Sequence, residues 1–312
     1  MFTNSKWFYN DNEVEVVDSF NYLGLTLNFI GKFTKSQSII AEQGRKCMYH
    51  ILRICNNLSL NIESKLYVFD TYVSSVLSYG SEIWGFNPGY DIEKVHVDFC
   101  KRILSVKKCT PNHMVYGELG RVPMYNSRML KIVKYWLKVI KTKNCILQSI
   151  YDDMLFCNHK PCNWRCQVQH LLLSKGFGDV WYNHYVHNEG LFLECLKQRL
   201  TDNFIQSRNE FFNNSSKCIL YKYLIDNVSI QFYLTKCIPE KCVKLLTKFR
   251  LSAHQLRIEQ GRYNGTARQD RLCEFCNLNE IEDEYHFILI CPLYNNLRSM
   301  YLKTLLFSCF FV

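Results

Sequence analysis

The sequence has little of what divides a chain into flexible pieces. Proline occurs 6 times and glycine 13 times in 312 residues, so long linkers and low-complexity loops are not expected. Hydrophobic residues make up 48% of the chain and aromatic residues 15%, a composition that excludes an intrinsically disordered tail. A chain of this length can bury a substantial core. We expect a mainly α-helical fold of two or three compact units.

Long apolar runs are also missing. No stretch approaches the roughly 18 to 20 consecutive apolar residues that span a bilayer. Residues 1–20 lack the apolar segment of a secretory signal peptide. The 16 cysteines are therefore expected to be reduced thiols, apart from any that bind a metal. We predict an intracellular protein, nuclear or cytoplasmic, whose partner is neither a membrane nor a small-molecule substrate.

Positive charge exceeds negative charge. The chain has 38 lysines and arginines against 28 aspartates and glutamates, a net charge of +10. This balance suits a partner that carries phosphates, such as RNA or DNA.

Periodicity predicts the main elements. Alternating residues beside the turn residues Asn10-Asp11-Asn12 indicate a β-hairpin, and further short strands are expected up to residue 27. Apolar residues at helical spacing indicate helices over residues 35–55, over 92–103 and over 128–143. Another helix is expected to begin after an Asn61 cap and to end at Gly80.

Cysteine and histidine residues near the C-terminus have the spacing of metal ligands. Cys273 and Cys276 form a C-x2-C pair, and His286 and Cys291 complete the pattern C-x2-C-x9-H-x4-C. Zinc is typically bound by four such ligands in a tetrahedron, and a site that four protein ligands fill is structural rather than catalytic. We therefore predict a structural Zn²⁺ site. The alternative is a cluster of reduced cysteines around an ordinary core.

Basic side chains precede and flank the metal motif. They are Arg250, His254, Arg257, Arg262, Arg268 and Arg271. The first three share one helical face. Guanidinium groups match the geometry of phosphate oxygens, so these residues are predicted to bind a nucleic-acid backbone.

Nearby aromatic residues have two possible roles. Tyr263, Phe275, Tyr285 and Phe287 could stack on unpaired bases. Small metal units also need apolar packing. We expect this second role for Phe275 and Phe287.

A second basic surface is predicted on the helix over residues 128–143. Its lysines recur at spacings of three and four, at Lys131, Lys134, Lys138 and Lys141. They form either a solvated face or a ridge that follows phosphates. A phosphate ridge would bind with strong salt dependence.

Two further motifs are weaker. Asp152 and Asp153 follow Tyr151 and look like the paired aspartates with which polymerases hold metal ions. The aromatic residue stands in the wrong position, and no partner aspartate is apparent. Residues 157–166 contain cysteine and histidine at crowded spacings, which we do not expect to bind a metal.

Several strings resemble the C-terminal region of LINE-like, non-LTR retrotransposon polyproteins. The strings are FNYLG at 20–24, YGSEIWG at 79–85, RLSAHQLRIEQGR at 250–262, RLCEFC at 271–276, DEYHF at 283–287 and CPLY at 291–294. Those polyproteins carry a reverse transcriptase upstream of such a cysteine and histidine tail. The resemblance extends from Phe20 to Arg298 and is most specific at the tail.

The resemblance implies an organisation in four parts. Residues 1–30 would be a β remnant from the end of the polymerase palm, residues 31–145 a helical thumb-like region, residues 146–240 a helical connector, and residues 241–312 an arginine-rich zinc-binding tail. The catalytic aspartates would precede residue 1. The chain is then expected to bind RNA or single-stranded DNA without polymerising, and to work with the N-terminal polymerase and endonuclease portion of the parent protein.

Two other classes of function stay open. The chain could be an active reverse transcriptase that uses Asp152 and Asp153, or a zinc-dependent adaptor, derived from a retroelement, that binds proteins.

Overall fold

The protein is mainly α-helical, as predicted. The computed structural model describes residues 6–86, 89–156, 163–225 and 227–301, and 64% of these described residues are helical. Within those ranges no helix combines the length and the apolar character that crossing a membrane requires. Each cysteine in those ranges is free of a disulfide bond.

The chain forms two compact units. One contains Met1–Phe99 and Val122–Phe204, and the other contains Cys100–Arg121 and Ile205–Val312. The second unit holds the predicted metal motif. The predicted boundaries at residues 30, 145 and 240 stay predictions.

Two small hairpins begin the first unit. Strand β1 (Trp7–Tyr9) pairs antiparallel with β2 (Asn12–Val14), and β3 (Ser19–Tyr22) pairs antiparallel with β4 (Leu25–Asn28). Asn10 and Asp11 turn the first hairpin with φ values of 49° and 60°. Two successive residues with positive φ are typical of the turn whose twist matches that of paired strands. The predicted hairpin is confirmed.

Helices make up most of the rest of the described chain, with short 3₁₀ and π-helical turns between some of them. They are α1 (Thr34–Asn57), α2 (Ile62–Val68), α3 (Ser74–Leu77), α4 (Ser81–Trp84), α5 (Tyr90–Ile103), α6 (Asn112–Glu118), α7 (Met124–Lys141), α8 (Cys145–Phe156), α9 (Trp164–Ser174), α10 (Gly178–Asn183), α11 (Glu189–Asn214), α12 (Phe232–Thr235), α13 (Glu240–Arg250), α14 (Arg257–Tyr263) and α15 (Asn295–Tyr301).

Helices α1 to α3 pack closely. The Asn61 side chain accepts the Ser64 N–H at 2.8 Å and caps α2, as its sequence predicts. A π-helical turn at Phe69–Val73 joins α2 to α3. A Cβ atom at Gly44 of α1 would lie 2.2 Å from Cδ2 of Leu77. Glycine is therefore what allows the backbone of α1 to approach the end of α3.

Helix α7 lies at the centre of a second group of helices in the first unit. Its Trp136 is fully buried, stacks on Trp181 at a ring distance of 5.7 Å, and donates its indole N–H to the Tyr151 hydroxyl at 2.9 Å. The Arg165 guanidinium lies over the Tyr151 ring, 4.1 Å from its centroid. The apolar face of α7 is thus packed in the core.

A buried ion pair holds the second unit together. Glu118, at the end of α6, is fully buried and accepts the Arg250 Nε–H at 2.7 Å. The Tyr233 hydroxyl donates to the same carboxylate at 2.9 Å. Burial raises the pKa of Glu118 against the opposing effects of Arg250 and Tyr233. Arg250 is therefore a structural partner of a buried carboxylate.

Candidate metal centre

A short hairpin positions the first two cysteines. Leu272 and Ile281 form an antiparallel bridge. The Cys273 N–H donates to the Glu280 carbonyl at 2.9 Å, and the Glu282 N–H donates to the Arg271 carbonyl at 2.9 Å. Residues 271–282 are therefore folded back on themselves, and we call them the metal hairpin.

Backbone N–H groups point at both sulfur atoms of the hairpin. Phe275 donates to the Cys273 sulfur and Leu278 donates to the Cys276 sulfur. The Leu278 N–H lowers the pKa of Cys276. Burial raises the pKa of Cys273 to about 11, and the adjacent thiols of Cys276 and Cys291 add to this shift. Each N–H donor favours the thiolate, which is the form that binds a metal; at Cys276 this effect prevails, whereas at Cys273 burial outweighs it.

A tight turn brings the other two residues to the same point. The Asp283 carboxylate accepts the His286 N–H at 2.9 Å. A π-helical turn begins at His286 and ends at Ile290. The Cys291 N–H then donates to the His286 carbonyl at 2.8 Å. The side chains of His286 and Cys291, separated by four residues, therefore face the metal hairpin together.

The four side chains converge. One ligand atom from each of Cys273, Cys276, His286 and Cys291 lies within 4.8 Å of all the others. The sulfur atoms of Cys273 and Cys291 are 4.0 Å apart, and the Cys276 sulfur is 3.4 Å from His286 Nε2. In a tetrahedron with metal–sulfur bonds of about 2.3 Å, ligand atoms lie about 3.8 Å apart. The cluster is compatible with one metal ion.

The opposite nitrogen of the imidazole also has a partner. His286 Nδ1 lies 3.0 Å from a carboxylate oxygen of Glu280. A histidine that binds a metal through one nitrogen usually donates its other N–H to a carboxylate or carbonyl, which fixes the tautomer and the ring orientation. His286 has this arrangement, with Nε2 towards Cys276.

Acidic residues between the two halves of the motif have specific partners, which sequence reasoning did not assign. Glu282 accepts the Arg257 N–H at 2.9 Å and so caps α14. Glu284 accepts from His254 Nε2 at 2.9 Å. The only sequence indication of these roles was the density of carboxylates between the predicted ligand pairs.

Comparison with known proteins adds nothing to this geometry. No family model, curated protein or solved structure matches the chain. The assignment of the site therefore depends on the geometry and chemistry of its own residues.

Most of the predicted basic residues of the tail have internal partners. Arg262 binds Glu259 at 2.7 Å and both the hydroxyl and the carbonyl of Ser216 at 2.8 Å. Arg271 donates to the carbonyls of Thr266 and Ile258 at distances of 2.8 to 3.0 Å. These guanidinium groups hold the loops around the metal hairpin in place.

The remaining tail cations differ in their exposure. The expected helical face of Arg250, His254 and Arg257 is wrong, because α13 ends at Arg250 and α14 begins only at Arg257. His254 is mostly buried against Glu284, and Arg250 pairs with Glu118. Arg257 forms an ion pair with Glu274 at the surface. The Arg268 side chain is exposed and has no hydrogen bond or ion pair with any residue that the structure describes. Of the predicted phosphate contacts, Arg268 is thus the most available.

The lysines of α7 divide in the same way. Lys131 donates to the Ser78 hydroxyl at 2.6 Å, and Lys141 forms an ion pair with Glu189. Lys134 and Lys138 are exposed and make no ion pair within the described ranges. The predicted ridge therefore contains two exposed ammonium groups, one helical turn apart, that form no ion pair with the described residues.

The aromatic residues correct one expectation. Phe287 packs between Phe249 and Tyr294, with ring distances of 6.0 and 4.7 Å. The packing prediction is wrong for Phe275, which is 61% exposed. The backbone of the C-x2-C turn folds around the sulfur atoms, so the Phe275 side chain, between the two cysteines, faces outward.

The two weaker motifs can be placed only in part. Asp152 and Asp153 lie within α8, and Asp152 is 3.6 Å from the Arg165 guanidinium. A helix does not present adjacent carboxylates on one face as a strand turn does. The crowded cysteine and histidine segment falls mainly on residues 157–162, which lie outside the described residues.

Proposed function

We propose that this chain binds RNA or single-stranded DNA as the C-terminal part of a LINE-like retrotransposon reverse transcriptase, with Zn²⁺ as a structural ion in its tail. The observation that carries the proposal is the convergence of Cys273, Cys276, His286 and Cys291. These four residues belong to the strings that carry the resemblance.

The donor set favours zinc in a structural role. Three thiolates and one imidazole are ligands typical of tetrahedral zinc. Four protein ligands fill the coordination sphere, so the bound ion would fix the positions of the hairpin and the turn and would leave no position for a substrate. The Glu280 carboxylate would keep the His286 ring in the orientation that the ion needs.

Charge and exposed side chains support a nucleic-acid partner. The chain has a net charge of +10, and Lys134, Lys138 and Arg268 are exposed. Phosphate contacts from such side chains supply sequence-independent affinity. Exposed Phe275 beside the metal ligands offers a ring on which an unpaired base can stack.

Metal content tests the zinc assignment. Purified protein should contain one equivalent of zinc, measured by native mass spectrometry. Cys276→Ser should lose the ion and lower the melting temperature of the tail, because metal binding contributes folding free energy. Cys242→Ser, which removes an exposed thiol on α13, should change neither. An apo protein with an unaltered melting curve would show the assignment to be wrong.

Binding at two salt concentrations tests the nucleic-acid assignment. Fluorescence anisotropy with single-stranded RNA and DNA should show binding that weakens strongly as salt rises, because each neutralised phosphate releases counterions. Absence of binding at low salt would refute the proposal. It would favour a protein-binding adaptor instead.

A further inference from the structure

A groove lies beside the metal centre in the second unit. Its volume is about 820 Å³, within the range of roughly 300–1,000 Å³ that is typical of small-ligand sites. Leu246 and Phe249 of α13 form one wall, and Phe287 and Ile288 form another. The groove is therefore large enough for a nucleotide and largely apolar inside.

Aromatic rings give the groove its shape. Phe249 lies 6.0 Å from Phe287 and 5.5 Å from His254, ring centre to ring centre, with interplanar angles of 41° and 37°. Phe249 and Phe287 are only partly buried. A flat, unsaturated ligand can contact such tilted rings by its faces, as unpaired bases do on aromatic side chains.

The charge at the groove has one sign. Lys107 and Lys248 line it and are exposed, and none of the described lining residues is acidic. Oε1 of Glu284 is hydrogen-bonded to Nε2 of His254, and the two atoms lie 2.9 Å apart. An apolar interior with ammonium groups around it complements a base whose neighbouring phosphates remain at the surface.

The metal centre and the groove share one segment. Phe287 and Ile288 belong to the π-helical turn that begins at the candidate ligand His286. The Ile288 carbonyl accepts from Arg298 at 3.3 Å, which fixes the other side of the turn. The position of this wall therefore depends on the residues that would hold the ion.

We propose that the groove receives one unstacked base of a single-stranded nucleic acid, while Lys107 and Lys248 contact the phosphates on either side. The inference rests on the proposed nucleic-acid-binding function and adds a specific site to it. It predicts a preference for single strands over duplexes, because a paired base cannot enter.

Matched substitutions inside and outside the groove test the proposal. Leu246→Glu places a charge in the interior, and Lys248→Glu reverses a charge at its edge. The controls are Leu297→Glu on α15 and Lys244→Glu on α13, both exposed and outside the groove. Each groove variant should weaken binding of a fluorescent single-stranded oligonucleotide about tenfold, and the controls should lose clearly less. Circular dichroism establishes that all four variants fold.

A chemical change in the ligand tests the same contact. An oligonucleotide with one 2-aminopurine should change fluorescence on binding to the wild type, and this change should be absent with Leu246→Glu. Photocrosslinking through 4-thiouridine should label peptides that contain Phe249 or Phe287. A label found elsewhere, or equal losses for groove and control variants, would overturn the groove while leaving nucleic-acid binding in place. No binding by the wild type would overturn both proposals.

Discussion

Nδ1 of His286 lies 3.0 Å from Oε2 of Glu280, although the Glu280 side chain is about half exposed. The carboxylate stands on the far side of the imidazole from the three cysteines. It can therefore orient the ring without occupying a ligand position.

Removing the Glu280 carboxylate should weaken metal binding. We expect Glu280→Ala to lower zinc affinity by about 10- to 100-fold, as loss of such partners usually does. Glu280→Gln should fall between this variant and the wild type, because its amide oxygen still accepts a hydrogen bond but carries no charge. Competition with a chromogenic chelator measures the affinity. Asp270→Asn, an exposed change near the hairpin, should have no effect, and an equal loss in that variant would contradict the assigned role.

The contact between α1 and α3 gives a prediction for stability. Gly44→Ala would place Cβ 2.2 Å from Cδ2 and 2.8 Å from Cγ of Leu77, which is fully buried. We expect the free energy of unfolding to fall by about 1–3 kcal/mol, because a closely packed core resists an added carbon. Urea denaturation measures this change.

Gly190→Ala is the matched control for Gly44. It lies in helix α11, and an added Cβ would meet only Asn188 Oδ1, at 3.4 Å. Alanine is favoured over glycine in a helix by about 0.5–1 kcal/mol, so this variant should be neutral or more stable. If both variants changed stability alike, helix propensity rather than the Leu77 contact would explain the result.

Local features of this fold were predictable and distant contacts were not. The Asn61 cap and the Asn10-Asp11 turn depend on a few adjacent residues, so sequence patterns were sufficient. The pair formed by Glu118 and Arg250 joins residues 132 positions apart. The periodicity of helices and strands does not predict contacts between residues so far apart in the sequence.

The candidate site shows the same division. The spacing of the cysteines and His286 was enough to predict the ligand set, because each half of the motif is local. Arg271 was predicted to face a phosphate, yet it binds the carbonyl of Thr266 at 2.8 Å. A guanidinium group matches phosphates and backbone carbonyls alike, so residue type alone could not decide between these partners.

Glu93 should make the stability of the first unit depend on pH. Its two carboxylate oxygens accept the N–H groups of Met124 and Tyr125 at 3.1 and 2.6 Å. Burial opposes ionisation, but hydrogen bonding and attraction from His96, attraction from Arg128 and the Tyr125 N–H outweigh it and lower the pKa.

The sign of this pH dependence follows from the lowered pKa. An unfolded glutamate has a pKa of about 4.3, so the unfolded chain binds the proton more tightly. The stabilisation is present above that pH and is lost as the pH falls through the folded-state pKa. Urea denaturation at several pH values should show a smaller acid-induced loss for Glu93→Gln than for the wild type. Near neutral pH that variant should be less stable by roughly 1.5–3 kcal/mol. Glu194→Gln, on the exposed face of α11, should follow the wild type at each pH.

The exposed lysines of α7 allow a direct test of the phosphate ridge. Lys134 and Lys138 are uncommitted among the described residues, whereas Lys131 is bound to Ser78 at 2.6 Å. If the ridge follows a nucleic-acid backbone, Lys134→Ala and Lys138→Ala should each reduce the slope of log affinity against log salt by about 1. Lys197→Ala, an exposed lysine of the same unit on α11, should leave the slope unchanged. Unchanged slopes in both α7 variants would mean that this face is only solvated, and phosphate binding would then have to reside in the tail.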